Sequence, residues 1–255
     1  MHADAEAAIE DRAGSLRAAW PGALLLALLV ALVYANGLRG EFTFDDWHVI
    51  PENPAVKRLD SIPAYFTDVS KFSVLATNRD YRPLFMTSMT LCWWAGDGSH
   101  LPFRVVSIAL HLFAVLSLFG VARRVLGHEG RLPPEAAAGA AWFGAALFAV
   151  HPLATESVLY ASSQAVPLAI ALYLFAWYAF LRVHAPLPGE RAERTGAAAW
   201  SWRAASWTAF ALALLAKPIA ITLPVVLVGW DVLFARRPVP AGRARAAAVA
   251  RAGLA

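Results

Sequence analysis

Charged residues and cysteines are scarce in this sequence. Only 16% of its 255 residues are charged and 59% are hydrophobic, whereas ordinary globular domains carry roughly 25% charge. One water-soluble core of this size could not enclose so much apolar surface, so the composition predicts an integral membrane protein. Cys92 is the only cysteine, which excludes an intramolecular disulfide and a cysteine-based metal cluster.

Several functional motifs are also missing. The sequence contains no glycine-rich phosphate loop, no zincin motif and no Gly-x-Ser-x-Gly elbow, which argues against a soluble nucleotide-dependent enzyme. The net charge is +4, but the positive charges stand in short clusters between apolar runs and form no basic face. We therefore expect no nucleic-acid partner. Arginine greatly outnumbers lysine and alanine is abundant, a pattern typical of a GC-rich bacterial gene.

Long apolar runs predict an all-α membrane protein with about six transmembrane helices, each long enough to approach the roughly 30 Å of a hydrocarbon core. Arg12 and Arg17 precede the first run, so that run also fits a secretory signal peptide. The later runs favour a retained signal-anchor. The predicted spans are residues 18–38, 105–122, 134–150, 165–181, 204–216 and 219–234.

The segment from Arg39 to about Leu101 is polar and aromatic and predicts a long extracytoplasmic loop. Its proline-rich start and segments such as Ser61–Phe66 indicate short helices at the membrane surface. Tyr81–Trp94 is apolar but too short for a full span, so it fits a juxtamembrane or re-entrant helix.

Short basic loops alternate along the chain, before the first span and after the second, fourth and sixth. The positive-inside rule then places both termini in the cytoplasm. We expect a cytoplasmic segment at residues 1–17, a transmembrane domain at 18–235 and a basic, truncated cytoplasmic tail at 236–255. A bacterial inner membrane, whose lipids surround the chain, is the expected location.

Asp45 and Asp46 follow the outer end of the first span. Adjacent carboxylates on an irregular segment point in different directions, so one of them could act as a general base while the other orients a neighbour or a cation. A solvated acidic turn or a helix cap is the alternative. Phe42, Phe44 and Trp47 surround the pair in sequence and argue against simple solvation.

Four further residues at the outer boundary are candidates for substrate binding. Arg82 offers a planar fork for phosphate, or it extends towards lipid headgroups. His151 and Glu156 stand in a short outer turn, where Glu156 could equally cap the next helix. Lys217 could hold a lipid phosphate or anchor a helix end. No metal site is certain, although Asp45, Asp46 and Glu156 could bind a divalent cation if they converge.

The assembled motifs resemble the transmembrane and TPR-containing protein O-mannosyltransferases and their bacterial relatives. The resemblance covers residues 33–234, with the motifs in the family's order. They are Asn36–Asn53, Tyr81-Arg-Pro-Leu84, Leu110-His111, His151-Pro-Leu-Ala-Thr-Glu156, Leu215-Ala-Lys217 and Ile221-Thr-Leu-Pro224.

This resemblance implies a GT-C-like fold and transfer of a sugar from a polyprenyl-phosphate carrier to a protein Ser/Thr or another hydroxyl acceptor outside the cytoplasm. It implies Asp45 as general base with Asp46 as its partner, and Arg82 and Lys217 as cations for the departing phosphate. Two positions depart from the family pattern. Gln164 stands where relatives have Arg, and Pro218 follows Lys217 where relatives have Glu.

Two other functions compete with the glycosyltransferase hypothesis. A membrane scaffold that has kept the fold and lost the chemistry would explain Gln164 and Pro218. A transporter is the weaker alternative, because transporter sites usually lie near the bilayer midplane on broken helices. The polar residues here gather at the outer boundary instead.

Overall fold

A computed structural model describes residues 20–128, 132–187 and 196–235, and helices dominate them. The expected segments at 1–17 and 236–255, and the basic positions Arg191 and Arg194, lie outside the described residues. The α-helices are α1 (Trp20–Arg39, ending in a 3-10 turn), α2 (Asp46–Val49), α3 (Pro83–Ala95), α4 (Leu101–Gly127), α5 (Pro134–Ala149), α6 (Ala154–Leu159), α7 (Ala165–His184), α8 (Ala197–Ala216) and α9 (Leu223–Trp230).

Three of the described helices are long and apolar enough to cross a membrane: Trp20–Arg39, Leu101–Gly127 and Ala161–His184, the last being α7 with the 3-10 turn before it. They correspond to the first, second and fourth predicted spans. The sixth corresponds to a shorter apolar helix, Pro218–Phe234. Helix α5 has 16 residues, or about 24 Å at 1.5 Å per residue. An all-helical membrane fold is therefore confirmed, with three helices of full spanning length.

The predicted boundary of the fifth span was wrong. Arg203 was expected in a loop, but it lies inside α8, which begins at Ala197. An alanine-rich run that includes arginine favours helix, and the Arg203 guanidinium stacks 5.2 Å from the Trp200 ring on the same helix. Local helix propensity and this contact therefore extend the helix beyond the apolar run.

Small residues allow the long helices to approach closely. On α5, four alanines at every fourth position are buried: Ala137, Ala141, Ala145 and Ala149. Three of them, Ala141, Ala145 and Ala149, pack with Leu26 and Val30 of α1 and Val115 of α4. Helices in a membrane associate mainly through such close packing and through hydrogen bonds. Helix α5 begins at Pro134, the residue at which the third predicted span begins.

The segment between α1 and α4 folds as a cap with an apolar core of its own. We call it the outer cap, residues 40–100, after the side of the membrane on which the sequence predicts it. Its buried residues include Val56, Tyr65, Phe72, Phe85 and Met89, which pack with Phe103 at the start of α4. The predicted surface helix corresponds to the 3-10 helix Leu59–Phe66. Helix α3 has only 13 residues, in agreement with the expectation that this apolar stretch is too short to span.

A buried carboxylate fastens the start of the outer cap to the helix bundle. Asp46 is fully buried, and its Oδ2 accepts a hydrogen bond from the Thr43 N–H at 3.1 Å. Its Oδ1 accepts one at 2.7 Å from the N–H of Ser162, in the 3-10 turn Ala161–Gln164 that leads into α7. Arg104 of α4 is also buried, is attracted by the Asp46 charge and donates to the Glu41 carbonyl at 2.6 Å.

We expect Asp46→Ala to destabilise the protein strongly. The substitution leaves the N–H groups of Thr43 and Ser162 without their acceptor and removes the negative charge that attracts the buried Arg104, and each buried donor left unsatisfied costs about 1–3 kcal/mol. Thermal unfolding in detergent measures the effect. Asp45→Ala is the matched control, because the Asp45 side chain is 64% exposed. Equal unfolding temperatures for the two variants would contradict an anchoring role of Asp46.

Candidate functional site

The two adjacent aspartates face different environments. Phe44 precedes them with a left-handed φ of 45°, which is strained for a bulky residue. The Thr43–Asp46 hydrogen bond closes this turn. Asp46 consequently points into the protein and Asp45 points outward. The expected aromatic shielding of the pair is wrong, since Phe44 is 87% and Trp47 51% exposed, and backbone N–H donors surround Asp46 instead.

The Asp45 side chain is exposed, but the backbone of this residue is held in place. Its backbone N–H donates to the Tyr160 hydroxyl at 2.7 Å, which ties it to the end of α6. One carboxylate oxygen, Oδ1, lies 3.3 Å from Nε2 of His48, on the short helix α2. The other ring nitrogen of His48, Nδ1, lies 2.9 Å from Oγ of Ser73. Asp45 thus presents a solvent-accessible carboxylate from a fixed backbone.

Arg82 and Lys217 lie in a second group, where α3 begins and α8 ends. Arg82 is paired with Asp80, and its guanidinium lies 5.6 Å from the centre of the Phe72 ring. Burial lowers the pKa of Lys217 below its ordinary value, the Arg82 charge lowers that pKa further, and Asp80 opposes this effect. Arg82 and Lys217 are therefore near enough for their charges to interact where α3 and α8 are in contact, and their service of one phosphate stays a prediction.

Phe72 and Ser73 connect the two groups. Ser73 contacts His48 beside Asp45. The ring of the adjacent Phe72 makes a cation–π contact with the Arg82 guanidinium. Both residues are buried, so the connection passes through the packed interior of the outer cap. Asp45 and Arg82 are therefore both joined to the packed core of the outer cap.

His151 and Glu156 lie apart from these groups. The described contacts join neither side chain to Asp45, Arg82 or Lys217. His151 Nδ1 accepts the Leu153 N–H at 3.2 Å and so stabilises its own turn, while Glu156 is exposed on α6. His151 also lines a cavity of about 200 Å³ between α4, α6 and α7, together with His111, Phe148, Ser157 and Ile170. His111 is satisfied by the carbonyl of Ala149 at 3.1 Å.

Gln164 does not face the cations. Its side chain is fully buried, accepts a hydrogen bond from the Ser88 hydroxyl at 3.2 Å and donates to the Phe103 carbonyl at 3.3 Å. Both partners are neutral, so a neutral amide suits this position between α3 and α4. Pro218 begins the 3-10 helix Pro218–Thr222 directly after Lys217, and this fixes where the lysine leaves α8.

The proposed metal ligands do not converge in the described part of the chain. Within residues 20–128, 132–187 and 196–235, no group of three or more His, Cys, Asp or Glu side chains could hold a metal ion. Asp46 also uses both carboxylate oxygens for backbone N–H groups. Asp45, Asp46 and Glu156 therefore do not together form a site for a divalent cation.

Sequence reasoning missed four residues of this region: His48, Ser73, Asp80 and Tyr160. Two of them had a local signal. His48 stands three positions after Asp45, at the spacing of neighbours on a helix, and Asp80 stands two positions before Arg82 with the opposite charge. Ser73 and Tyr160 had no local signal in the sequence. The contact of Ser73 with His48 spans 25 positions of the chain, and that of Tyr160 with Asp45 spans 115.

Comparison with known proteins finds relatives of one kind. Mouse protein O-mannosyl-transferase TMTC1 is 32% identical over 164 residues, which are 63% of this chain and 17% of the mouse protein. Mouse protein O-mannosyl-transferase TMTC4 is 26% identical over 222 residues, 82% of this chain and 29% of that protein. The Caenorhabditis elegans protein O-mannosyl-transferase F38B6.6 is 31% identical over 138 residues, 53% of this chain and 19% of the relative.

The chain spans less than a third of the length of these relatives. No family model matches it, and no solved structure matches it. The apolar helices and these relatives together support an integral membrane protein. They also confirm the resemblance seen in the sequence: the homologues of this chain are protein O-mannosyl-transferases of the TMTC1 and TMTC4 type.

Proposed function

We propose that the protein is a membrane glycosyltransferase of the mannosyltransferase type. It transfers a sugar from a polyprenyl-phosphate carrier to a protein Ser/Thr or another hydroxyl acceptor. One observation carries the proposal: a fixed, exposed carboxylate at Asp45 is linked through Ser73 and Phe72 to the cations Arg82 and Lys217. The names of the homologues support the reaction type.

Asp45 is the proposed general base. Its accessible carboxylate removes the proton of the acceptor hydroxyl, and the acceptor oxygen forms a bond to the anomeric carbon of the sugar. The bond from that carbon to the carrier phosphate breaks, and the phosphate leaves with the electron pair, with inversion at the anomeric carbon. A positioned base contributes about 10²–10⁴-fold to the rate of such a step. Asp46, buried and saturated with hydrogen bonds, acts on the reaction by placing Asp45.

Arg82 and Lys217 are the proposed site for the carrier phosphate. Fixed positive charge stabilises negative charge that develops on a leaving group. The Lys217 ammonium has no ion pair among the described residues, and its lowered pKa shows that its charge is poorly solvated there. A phosphate would supply the missing counter-charge, because an opposite charge favours the charged form of a buried group.

The arrangement in the membrane is part of the proposal. A GT-C-like fold with six spans places the outer cap, Asp45 and Lys217 outside the cytoplasm and both termini inside, in a bacterial inner membrane. The carrier's isoprenoid chain then remains among membrane lipids while its phosphate reaches the outer boundary. His151 and Glu156 remain candidates for contact with the sugar or the acceptor at the neighbouring turn.

We expect Asp45→Asn to lower sugar transfer by about 10²–10⁴-fold, because the amide cannot take up the hydroxyl proton. Transfer of radiolabelled hexose from a polyprenyl-phosphate donor by membranes containing the protein measures this effect. Asp60→Asn is the matched control, since Asp60 is an outer-cap carboxylate with 65% side-chain exposure against 64% for Asp45. It should transfer at the wild-type rate.

A wild-type rate in the Asp45→Asn membranes would overturn the assignment of the base. Binding of the lipid-linked sugar by the wild type without any turnover would instead favour the scaffold function.

We expect Lys217→Ala to weaken donor binding by about tenfold, because one charge-assisted contact to the phosphate is lost. Titration of polyprenyl phosphate against the protein in detergent measures the affinity. Lys57→Ala is the matched control: the Lys57 ammonium lies 5.2 Å from the centre of the Trp93 ring in the outer cap. Equal affinities of both variants and the wild type would exclude Lys217 from the phosphate site.

We expect chelation with EDTA to leave sugar transfer within about twofold of its untreated rate. The described acidic side chains bring no three metal ligands together, so the proposed step relies on Arg82 and Lys217 to stabilise the leaving phosphate. The transfer assay is repeated after chelation and again after Mg²⁺ or Mn²⁺ is added back. Activity lost with EDTA and regained with the metal would contradict the expectation.

A further inference from the structure

His48 stands between Asp45 and the interior of the outer cap. Its Nε2 lies 3.3 Å from Asp45 Oδ1 and its Nδ1 lies 2.9 Å from Ser73 Oγ. The His48 side chain is only 12% exposed, against 64% for Asp45. Ser73 is buried. A buried hydroxyl, a nearly buried imidazole and an exposed carboxylate therefore form a row that ends at the solvent.

The Asp45 carboxylate determines which ring nitrogen of a neutral His48 carries the proton. Nε2 lies 3.3 Å from Asp45 Oδ1, and an ionised carboxylate can only accept hydrogen bonds, so the tautomer without a proton on Nε2 would place two acceptors against each other. Nε2 therefore carries the proton and Nδ1 is an acceptor. Ser73 suits this tautomer, because its Oγ accepts a hydrogen bond from the Leu75 N–H at 3.0 Å and its own hydroxyl proton is available for Nδ1.

We propose that His48 is a positioning residue for Asp45. It holds Oδ1 and leaves Oδ2 free to receive the proton of the acceptor hydroxyl. This inference rests on the function proposed above. The need for such a residue follows from the exposure of Asp45: the Tyr160 hydroxyl fixes its backbone N–H at 2.7 Å, but an exposed carboxylate would otherwise rotate freely. A donor on one oxygen fixes the side chain as well, and bases must be held in place to be efficient.

Two substitutions separate the two contacts of His48. In His48→Gln, the side-chain amide can reach the former position of Nε2 and donate to Asp45. In His48→Asn, the amide is one carbon shorter and replaces Nδ1, so it keeps the contact with Ser73 but not the one with Asp45. Thermal unfolding of both variants in detergent controls for a general loss of structure.

We expect His48→Ala and His48→Asn to lower kcat for sugar transfer by about tenfold, the size expected for one lost hydrogen bond to a charged group. The KM for the polyprenyl-phosphate donor should not change, because the phosphate is held by Arg82 and Lys217. His48→Gln should recover most of kcat. A residue with a structural role alone would lower kcat in parallel with the unfolding temperature and would favour Asn, which keeps the Ser73 contact.

A double substitution gives an independent test. If His48 acts only through Asp45, then adding His48→Ala to Asp45→Asn causes no further loss, whereas unrelated effects would multiply. A multiplied loss in the double variant, or a wild-type kcat in His48→Asn, would overturn the inference. Failure of the proposed function gives a different result, since Asp45→Asn alone would then transfer sugar like the wild type.

Discussion

The buried Asp46 carboxylate is the constraint on which the arrangement of this region depends. A charge removed from water must be compensated by hydrogen bonds or an opposite charge. Asp46 obtains both from distant parts of the chain: the N–H groups of Thr43 and Ser162 and the positive charge of Arg104. The requirement to satisfy one carboxylate therefore joins the end of α1, the start of α4 and the turn before α7.

The position of Asp45 is a consequence of that constraint. Because Asp46 turns inward, the preceding turn is closed and its neighbour must turn outward, where Tyr160 and His48 meet it. Two identical adjacent residues thus acquire different tasks through their environments. Asp46 is enclosed by backbone donors, and the Asp45 side chain is open to solvent.

Close helix packing supplies the rigid frame behind this arrangement. The buried alanines of α5 bring it against α1 and α4, and Ser206 of α8 donates to the Ala176 carbonyl of α7 at 2.8 Å. Hydrogen bonds and small residues are the main sources of helix association where water is absent. These contacts determine the positions of the ends of α6 and α8, where Tyr160 and Lys217 lie.

The sequence predicted those features that depend on local patterns. Apolar runs located α1, α4 and α7, and the proline before Glu135 located the start of α5. The aspartate pair was found as a candidate because two carboxylates beside a span are unusual. It could not be divided into an anchor and an exposed acid, because that division depends on Ser162, 116 positions away from Asp46. The proximity of Arg82 to Lys217 likewise depends on the tertiary fold.

The proposed mechanism assigns the proton transfer to Asp45 and the binding of the donor to Arg82 and Lys217. Its most direct test is the single-turnover rate of sugar transfer from a polyprenyl-phosphate donor already bound to the Asp45→Asn variant. We expect the variant to retain the donor and to transfer its sugar at least about a hundredfold more slowly than the wild type. Transfer from the bound donor at the wild-type rate would contradict it.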